Sequence, residues 1–216
     1  MNNSKSPRHS LDEQVQQVQR RTVRYWFEDG LAELIIGAFF VLIGLYFAVA
    51  GAVPQGGPRA VVSGLVFPAF IVGLGLASRR LIGRAKEGLV YPRTGYVSYV
   101  RPPARRRWLT PIVAGIVGAL LVALIRRAPS LESWIPALWG LPVGGLFLLM
   151  NRSARLLRLS FLAAFSALTG LLLALRGGST EMNGAIFFTL VGLVMAAGGA
   201  LALRRYLRHA PPPEGA

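Results

Sequence analysis

The chain has 216 residues, of which 53% are hydrophobic and only 15% are charged, and it contains no cysteine. A soluble domain usually carries about 25% charged residues, so the composition predicts that most of this chain lies in lipid. The missing cysteines exclude disulfides, thiolate metal sites and lipidation on cysteine.

The first 30 residues are polar and predict a cytoplasmic tail with a helix over 10–28. Ser10 and Glu13 have the spacing of a capping box, and apolar residues recur every three to four positions from Leu11 to Trp26. A basic helix with an apolar stripe beside a span is typical of the membrane interface. We therefore predict an interfacial amphipathic helix that orients the first span. Docking of anionic lipid or a partner is the alternative role.

Apolar stretches of about 17 residues or more can cross a bilayer as helices. Six stretches qualify: 31–51, 60–77, 109–125, 134–150, 159–175 and 184–203. The predicted fold class is therefore all-α, a polytopic membrane helix bundle of about six transmembrane helices in a domain over 31–203. The fourth stretch contains Pro136 and Pro142, which predicts a kinked or partly re-entrant helix. The fifth is short, with Arg158 at its edge, from where the side chain can reach the interface.

Residues 78–108 form the longest polar connection and are predicted to be a cytoplasmic loop. Strand-like residues at 89–91 and 96–100 flank a turn-forming segment at 92–95, which indicates a small hairpin against the headgroups. The main interpretation is a basic loop that fixes topology. A patch that grips an anionic ligand is the alternative, because its tyrosines alternate with arginines.

The basic residues are distributed unevenly between alternate connections. Of the 24 Lys and Arg residues, 20 lie in the tail before residue 31, the 78–108 loop, the 151–158 loop and the tail at 204–216. The remaining four lie in the other connections. Positive residues are retained in cytoplasmic loops, so this split predicts that both termini are cytoplasmic. The net charge of +15 is then explained by topology, and nucleic acid is not predicted as a partner.

Two sequence motifs carry a resemblance. The string Tyr-Trp-Phe-Glu-Asp-Gly-Leu at 25–31 precedes the first span, and Tyr-Pro-Arg-Thr-Gly-Tyr-Val at 91–97 follows the second. Through these two strings, the first half of the chain resembles a family of uncharacterised bacterial multi-pass integral membrane proteins. The resemblance implies a bacterial inner (plasma) membrane protein and implies no particular activity.

The polar residues nearest the first span form the candidate functional cluster. These residues are Glu28, Asp29, Glu33, Tyr91, Arg93 and Tyr96. Glu33 is the acidic residue inside a predicted span, and carboxylates at a helix start are favoured by the helix dipole. We predict that the three carboxylates pair structurally with Arg20, Arg21, Arg24 or Arg93, with a functional carboxylate as the alternative. The candidate anionic-lipid contacts are Arg20, Arg21, Arg24, Arg105, Arg106 and Arg107.

No catalytic, cofactor-binding or metal-binding motif is predicted. The two histidines, His9 and His209, lie in opposite tails, and glycine pairs such as Gly140 and Gly144 have the spacing of close helix packing. The leading hypothesis is a non-enzymatic membrane protein whose basic cytoplasmic face binds anionic lipid or a protein partner, with homo-oligomers possible. A small transporter or channel is the first alternative, since prolines in the spans permit broken helices. A lipid-modifying membrane enzyme is the second.

Overall fold

The computed structural model describes residues 29–54, 56–89, 127 and 129–209. Every regular element in these ranges is a helix. The α-helices are α1 (Leu31–Ala52), α2 (Gly57–Val61), α3 (Phe67–Leu89), α4 (Ile135–Ala154), α5 (Leu157–Arg176) and α6 (Thr180–His209). A π-helical segment, Val62–Val66, joins α2 to α3, and a 3-10 helix, Pro129–Trp134, leads into α4.

Contacts between the helices define two ends of the bundle. Lys86, near the end of α3, lies beside Asp29, and Arg158, at the start of α5, lies beside Glu33; we call this the Asp29 end. Arg59 of α2 and Glu181 of α6 meet at the opposite end, which we call the Glu181 end. Helices α1 and α5 run from the Asp29 end to the Glu181 end, while α3, α4 and α6 run back.

The closest helix pair is α1 with α6, which pack antiparallel along their length. At Gly37, a Cβ atom would lie 2.5 Å from the amide nitrogen of Ala196 and 2.8 Å from the carbonyl oxygen of Gly192. At Gly30, whose φ of +72° favours glycine, a Cβ would collide with the carbonyl of Gly199. Backbone therefore lies directly on backbone, as small residues allow in membrane helix pairs.

A second antiparallel pair is formed by α4 and α5. Gly140 faces Gly170, and Gly144 faces the carbonyl of Ala163, so the predicted glycine pair on the fourth span is used for packing inside the chain. The tight turn between the two helices places Arg155 at φ +51°. Asn151 closes this turn, because its side chain bonds the Ser160 hydroxyl at 2.7 Å and accepts the Leu156 amide at 2.7 Å.

Helix α3 is attached to α1 chiefly at its two ends. Near the Glu181 end, Tyr46 stacks on Phe70 with ring centroids 5.4 Å apart, and its hydroxyl donates to the carbonyl of Val62 at 2.7 Å. That carbonyl belongs to the π-helical segment, where the regular ladder is interrupted. Lys86 makes the attachment at the Asp29 end. Between them, residues such as Val72 and Leu76 are exposed, as expected for a lipid-facing surface.

Five described helices are long and apolar enough to cross a membrane: Leu31–Ala52, Gly57–Gly88, Leu131–Arg152, Leu157–Arg176 and Thr180–His209. They correspond to five of the predicted spans, and the all-helical membrane character is confirmed. The third predicted span, 109–125, lies outside the described residues, as do the interfacial helix over 10–28 and the hairpin turn at 92–95.

The end of the second span and the shape of the fourth differ from the sequence prediction. The second span does not give way to loop at residue 78, because α3 continues as helix to Leu89, so the strand predicted at 89–91 begins on a helical residue. The continuation buries Lys86 against Asp29, a tertiary contact that hydropathy does not reveal. The fourth stretch is one continuous helix of 20 residues with Pro142 inside it, and it does not turn back.

Candidate functional site: the charged ends of the bundle

Asp29 lies two residues before α1, and its carboxylate contacts both a backbone amide of that helix and the Lys86 ammonium. One carboxylate oxygen, Oδ1, accepts the backbone N–H of Leu31 at 2.9 Å, which satisfies one of the free amides at a helix start. The other, Oδ2, lies 2.7 Å from Nζ of Lys86. Both side chains are only 2% exposed, so this ion pair is shielded from solvent and ties α3 to the start of α1.

Glu33 lies one turn further along α1 and makes the second pair. Its Oε1 accepts a hydrogen bond from Nε of Arg158 at 3.0 Å. The Glu33 side chain is 1% exposed, whereas that of Arg158 is 26% exposed. This pair links the start of α5 to α1. Together, the two ion pairs link the N-terminal end of α1 to both α3 and α5.

The two pairs balance the charge at the start of α1. Two carboxylates meet two cations, and both carboxylates lie near the positive end of the α1 dipole. Burying such a pair carries a large desolvation penalty, so its net contribution to stability is small, but removing one partner alone is costly. The arrangement therefore acts as a clasp that specifies which helix ends lie together. We call Asp29, Glu33, Lys86 and Arg158 the ion-pair clasp.

The predicted candidate cluster is represented in the structure by two of its members. Asp29 and Glu33 lie side by side at the Asp29 end, whereas Glu28, Tyr91, Arg93 and Tyr96 lie outside the described residues. All six predicted lipid contacts lie outside them as well: Arg20, Arg21, Arg24, Arg105, Arg106 and Arg107. Of this cluster, the described part of the chain therefore shows Asp29 and Glu33 at the same end of the bundle.

The cations that pair with these carboxylates were not among the predicted partners. Arg158 was assigned to the interface because it lies at the edge of an apolar stretch, and Lys86 was assigned to the 78–108 loop because that segment is polar. The order of the predicted spans did contain a usable signal. Lys86 follows the second predicted span and Arg158 follows the fourth, so each is expected on the same side of the membrane as Asp29, which precedes the first. Asp29 and Glu33 are each held in an ion pair, with Lys86 and Arg158 in place of the predicted arginines.

The surface of the Asp29 end is strongly basic. Ten of the thirteen Lys and Arg residues that the structure describes lie towards this end, against the acidic residues Asp29, Glu33 and Glu87. Eight of these cations are exposed: Arg79, Arg80, Arg84, Arg152, Arg155, Arg204, Arg205 and Arg208. They come from three separate helices, and the last three extend on α6 beyond the start of α1, since Gly199 already lies level with Gly30.

The Glu181 end has a different character. Arg59 lies 3.6 Å from Glu181, and its Nη2 atom also donates to the carbonyl of Gly51 at 3.2 Å, near the end of α1. Beneath this pair is a pocket of about 180 Å³. Its lining is mainly aromatic and aliphatic: Tyr46, Phe47, Ala50, Arg59, Val62, Phe67, Thr180 and Glu181. This pocket was not predicted from the sequence.

Aromatic rings continue from this pocket into the bundle. Phe47 stacks parallel to Phe188 with centroids 5.6 Å apart, and Trp139 of α4 lies 5.4 Å from Phe47. The rings join α1, α4 and α6 in one apolar layer near the Glu181 end. Trp139 and Phe188 pack against Phe47, which lines the pocket, and all three side chains are uncharged.

Within the described ranges, no three His, Asp or Glu side chains come close enough to hold a metal ion. No model of a known protein family, no curated protein and no solved structure matches the chain. The likeness of the two motifs to a bacterial membrane protein family therefore stays a prediction.

Proposed function

We propose that the chain is a six-span membrane protein that presents the Asp29 end to the cytoplasm and binds anionic lipid there. The observation that carries the proposal is the set of eight exposed arginines at that end, which come from α3, α6 and the end of α4 with the turn after it. The cytoplasmic leaflet carries negative lipids, and each Lys or Arg near its surface contributes about 1 kcal/mol of attraction. Positive residues also keep a membrane protein's connections in the cytoplasm.

The number of six spans is supported by helix direction. Helices α3 and α4 both run towards the Asp29 end, so the chain has to return to the Glu181 end between residues 89 and 129. The apolar stretch at 109–125 is long enough for that return. An even number of crossings puts both termini on one side, which we propose is the cytoplasm, in the plasma membrane of a bacterium as the motif resemblance implies.

The clasp supports a binding role rather than a catalytic one. Catalysis by Asp29 or Glu33 would need a carboxylate able to reach a substrate proton, but both side chains are buried and engaged by cations. The exposed cations, in contrast, are available to phosphate groups. Arginine is suited to this contact because its guanidinium matches phosphate geometry with two parallel hydrogen bonds.

Removing two arginines from the basic end tests the proposal. We expect Arg204→Gln with Arg205→Gln to weaken binding of phosphatidylglycerol about thirtyfold, since two charges that each contribute on the order of 1 kcal/mol together contribute about 2 kcal/mol. Native mass spectrometry of the detergent-solubilised full chain, titrated with this lipid, measures the change. Added salt should reduce the difference between the two proteins, because exposed charges are screened.

The matched control removes two exposed arginines from the opposite end, Arg127→Gln with Arg176→Gln. Glu132 and Glu181 already offset the positive charge there, so we expect a loss of no more than about twofold. Equal losses in the two double variants, or no loss in the first, would overturn the assignment of lipid binding to the Asp29 end.

A further inference from the structure

We infer that the pocket at the Glu181 end binds one zwitterionic phospholipid of the ethanolamine type, with its phosphate at Arg59 and its ammonium at Glu181. This site lies at the opposite end from the proposed anionic-lipid surface and takes a lipid of different charge. It is independent of the proposed function and of which end faces the cytoplasm.

The position of the pocket favours a lipid over a water-soluble ligand. The pocket opens between α1, the π-helical segment and the start of α6, all within helices apolar enough to cross a membrane. Its neighbours on the outer surface are apolar and exposed: Val61 is 55% exposed and Leu65 is 70% exposed. A hydrocarbon chain beside these residues can enter the pocket without leaving the membrane.

The size of the pocket suits part of a lipid chain. A cavity of about 150 Å³ lined by apolar side chains holds one benzene molecule, and this pocket is about 180 Å³. It is too small for a whole drug-sized ligand, which needs roughly 300 Å³ or more. The first part of an acyl chain fits against Tyr46, Phe47 and Phe67, and the rest continues into the surrounding lipid.

The charges at the mouth select the headgroup. Arg59 and Glu181 are 3.6 Å apart, and their side chains are 23% and 29% exposed, so both are partly accessible at the end of the bundle. Glu132 lies close by, since its Oε1 accepts the Thr180 hydroxyl at 3.4 Å. Of the charged residues at this end, Arg59 and Glu181 line the pocket and Glu132 bonds to Thr180 of its lining, so one cation and two carboxylates lie at the pocket itself. That balance opposes a purely anionic lipid and favours one that brings its own ammonium.

A primary ammonium adds hydrogen-bond donors that match the carboxylates. The phosphate of the same headgroup is attracted by the positive charge of Arg59, whose Nη2 already donates to the carbonyls of Ala50 and Gly51. The exposed indole of Trp134, 47% exposed at the start of α4, is the type of ring that marks the headgroup level. The π-helical segment beside the pocket is also typical of functional positions in helices.

Photo-crosslinking of the full chain in detergent micelles tests the inference. The probe is phosphatidylethanolamine with a diazirine near the glycerol end of one acyl chain. We expect crosslinks on peptides that contain Tyr46, Phe47 or Phe67. Unlabelled phosphatidylethanolamine should compete about fivefold better than phosphatidylglycerol, the effect of one partly exposed charge contact.

Two variants and a matched control complete the experiment. Glu181→Gln should abolish the preference between the two competitors, and Ala50→Met, which fills the pocket, should lower the crosslink yield at least threefold. Glu87→Gln, an exposed carboxylate at the Asp29 end, should change neither. Crosslinks confined to other helices, equal competition on the wild-type protein, or an equal effect of Glu87→Gln would each overturn the inference.

Discussion

Lys86→Met is expected to destabilise the folded protein by about 3–5 kcal/mol, the cost of leaving a buried charge without its partner. Nζ of Lys86 lies 2.7 Å from Asp29, and both side chains are 2% exposed. Methionine fills similar space but offers no positive charge, so the carboxylate of Asp29 remains buried and uncompensated. Unfolding by sodium dodecyl sulfate in mixed micelles, followed by far-ultraviolet circular dichroism, measures the loss.

A second substitution separates the charge from the packing. Asn at position 29 can still accept the Leu31 amide as a helix cap, so Asp29→Asn in the Lys86→Met background should restore most of the stability. Arg84→Met, an exposed cation on the same helix, is the matched control and should change stability by less than about 0.5 kcal/mol. If the double variant is no more stable than Lys86→Met, the ion pair is not the cause.

Gly37→Ala is the second change for which we expect a large effect. The added Cβ would lie 2.5 Å from a backbone nitrogen and 2.8 Å from a carbonyl oxygen of α6. Backbone atoms cannot rotate away as a flexible side chain can, so α1 and α6 must separate. Overpacking of this kind costs about 1–3 kcal/mol and occasionally more, and here the shift also loosens neighbouring contacts along the pair.

The same substitution on α3 gives the control. Nothing lies within 4 Å of a Cβ at Gly73, so Gly73→Ala should be neutral or should stabilise by up to about 1 kcal/mol through helix propensity. Thermal unfolding of both variants in the same detergent provides the comparison. A smaller effect of Gly37→Ala than of Gly73→Ala would show that the close contact between α1 and α6 is not present in the folded protein.

The membrane helices themselves could be predicted because hydropathy is a local property. Any stretch of about 20 apolar residues has to satisfy its backbone internally in lipid, and a helix is the way to do so within one segment. Helix ends were less predictable. Leu89 is a helical residue although the chain around it is polar, because the burial of Lys86 extends α3 beyond the apolar stretch.

The partners of the carboxylates could not be read from local sequence. Glu33 and Arg158 are 125 residues apart, and they come together because α1 and α5 both pack against α6. The close contact between α1 and α6 had a signal in the sequence, but the search for small residues four positions apart did not find it. Gly30, Gly37, Gly44 and Gly51 recur every seven residues on α1, and Gly192 and Gly199 do so on α6, the repeat of two helices that pack over many turns.

The basic surface at the Asp29 end could also be predicted only in part from the sequence. The uneven count of Lys and Arg residues predicted a basic side, but the six arginines chosen as lipid contacts lie outside the described residues. The exposed cations that the structure places towards the Asp29 end come from residues 79–84 in the second half of α3, from 152–155 around the end of α4, and from 204–208 near the end of α6. Their joint presentation depends on helix direction and length, which no single stretch of sequence specifies.

The most direct test of the account is the membrane side of two residues that flank the segment 90–128. The chain has no cysteine, so Glu87→Cys and Ser133→Cys each introduce a single thiol, at the Asp29 end and the Glu181 end respectively. We expect a membrane-impermeant maleimide to label Ser133→Cys in intact cells and to label Glu87→Cys only after permeabilisation. Labelling of both thiols from the same side would contradict the six-span arrangement, and labelling of Glu87→Cys alone in intact cells would reverse the proposed orientation.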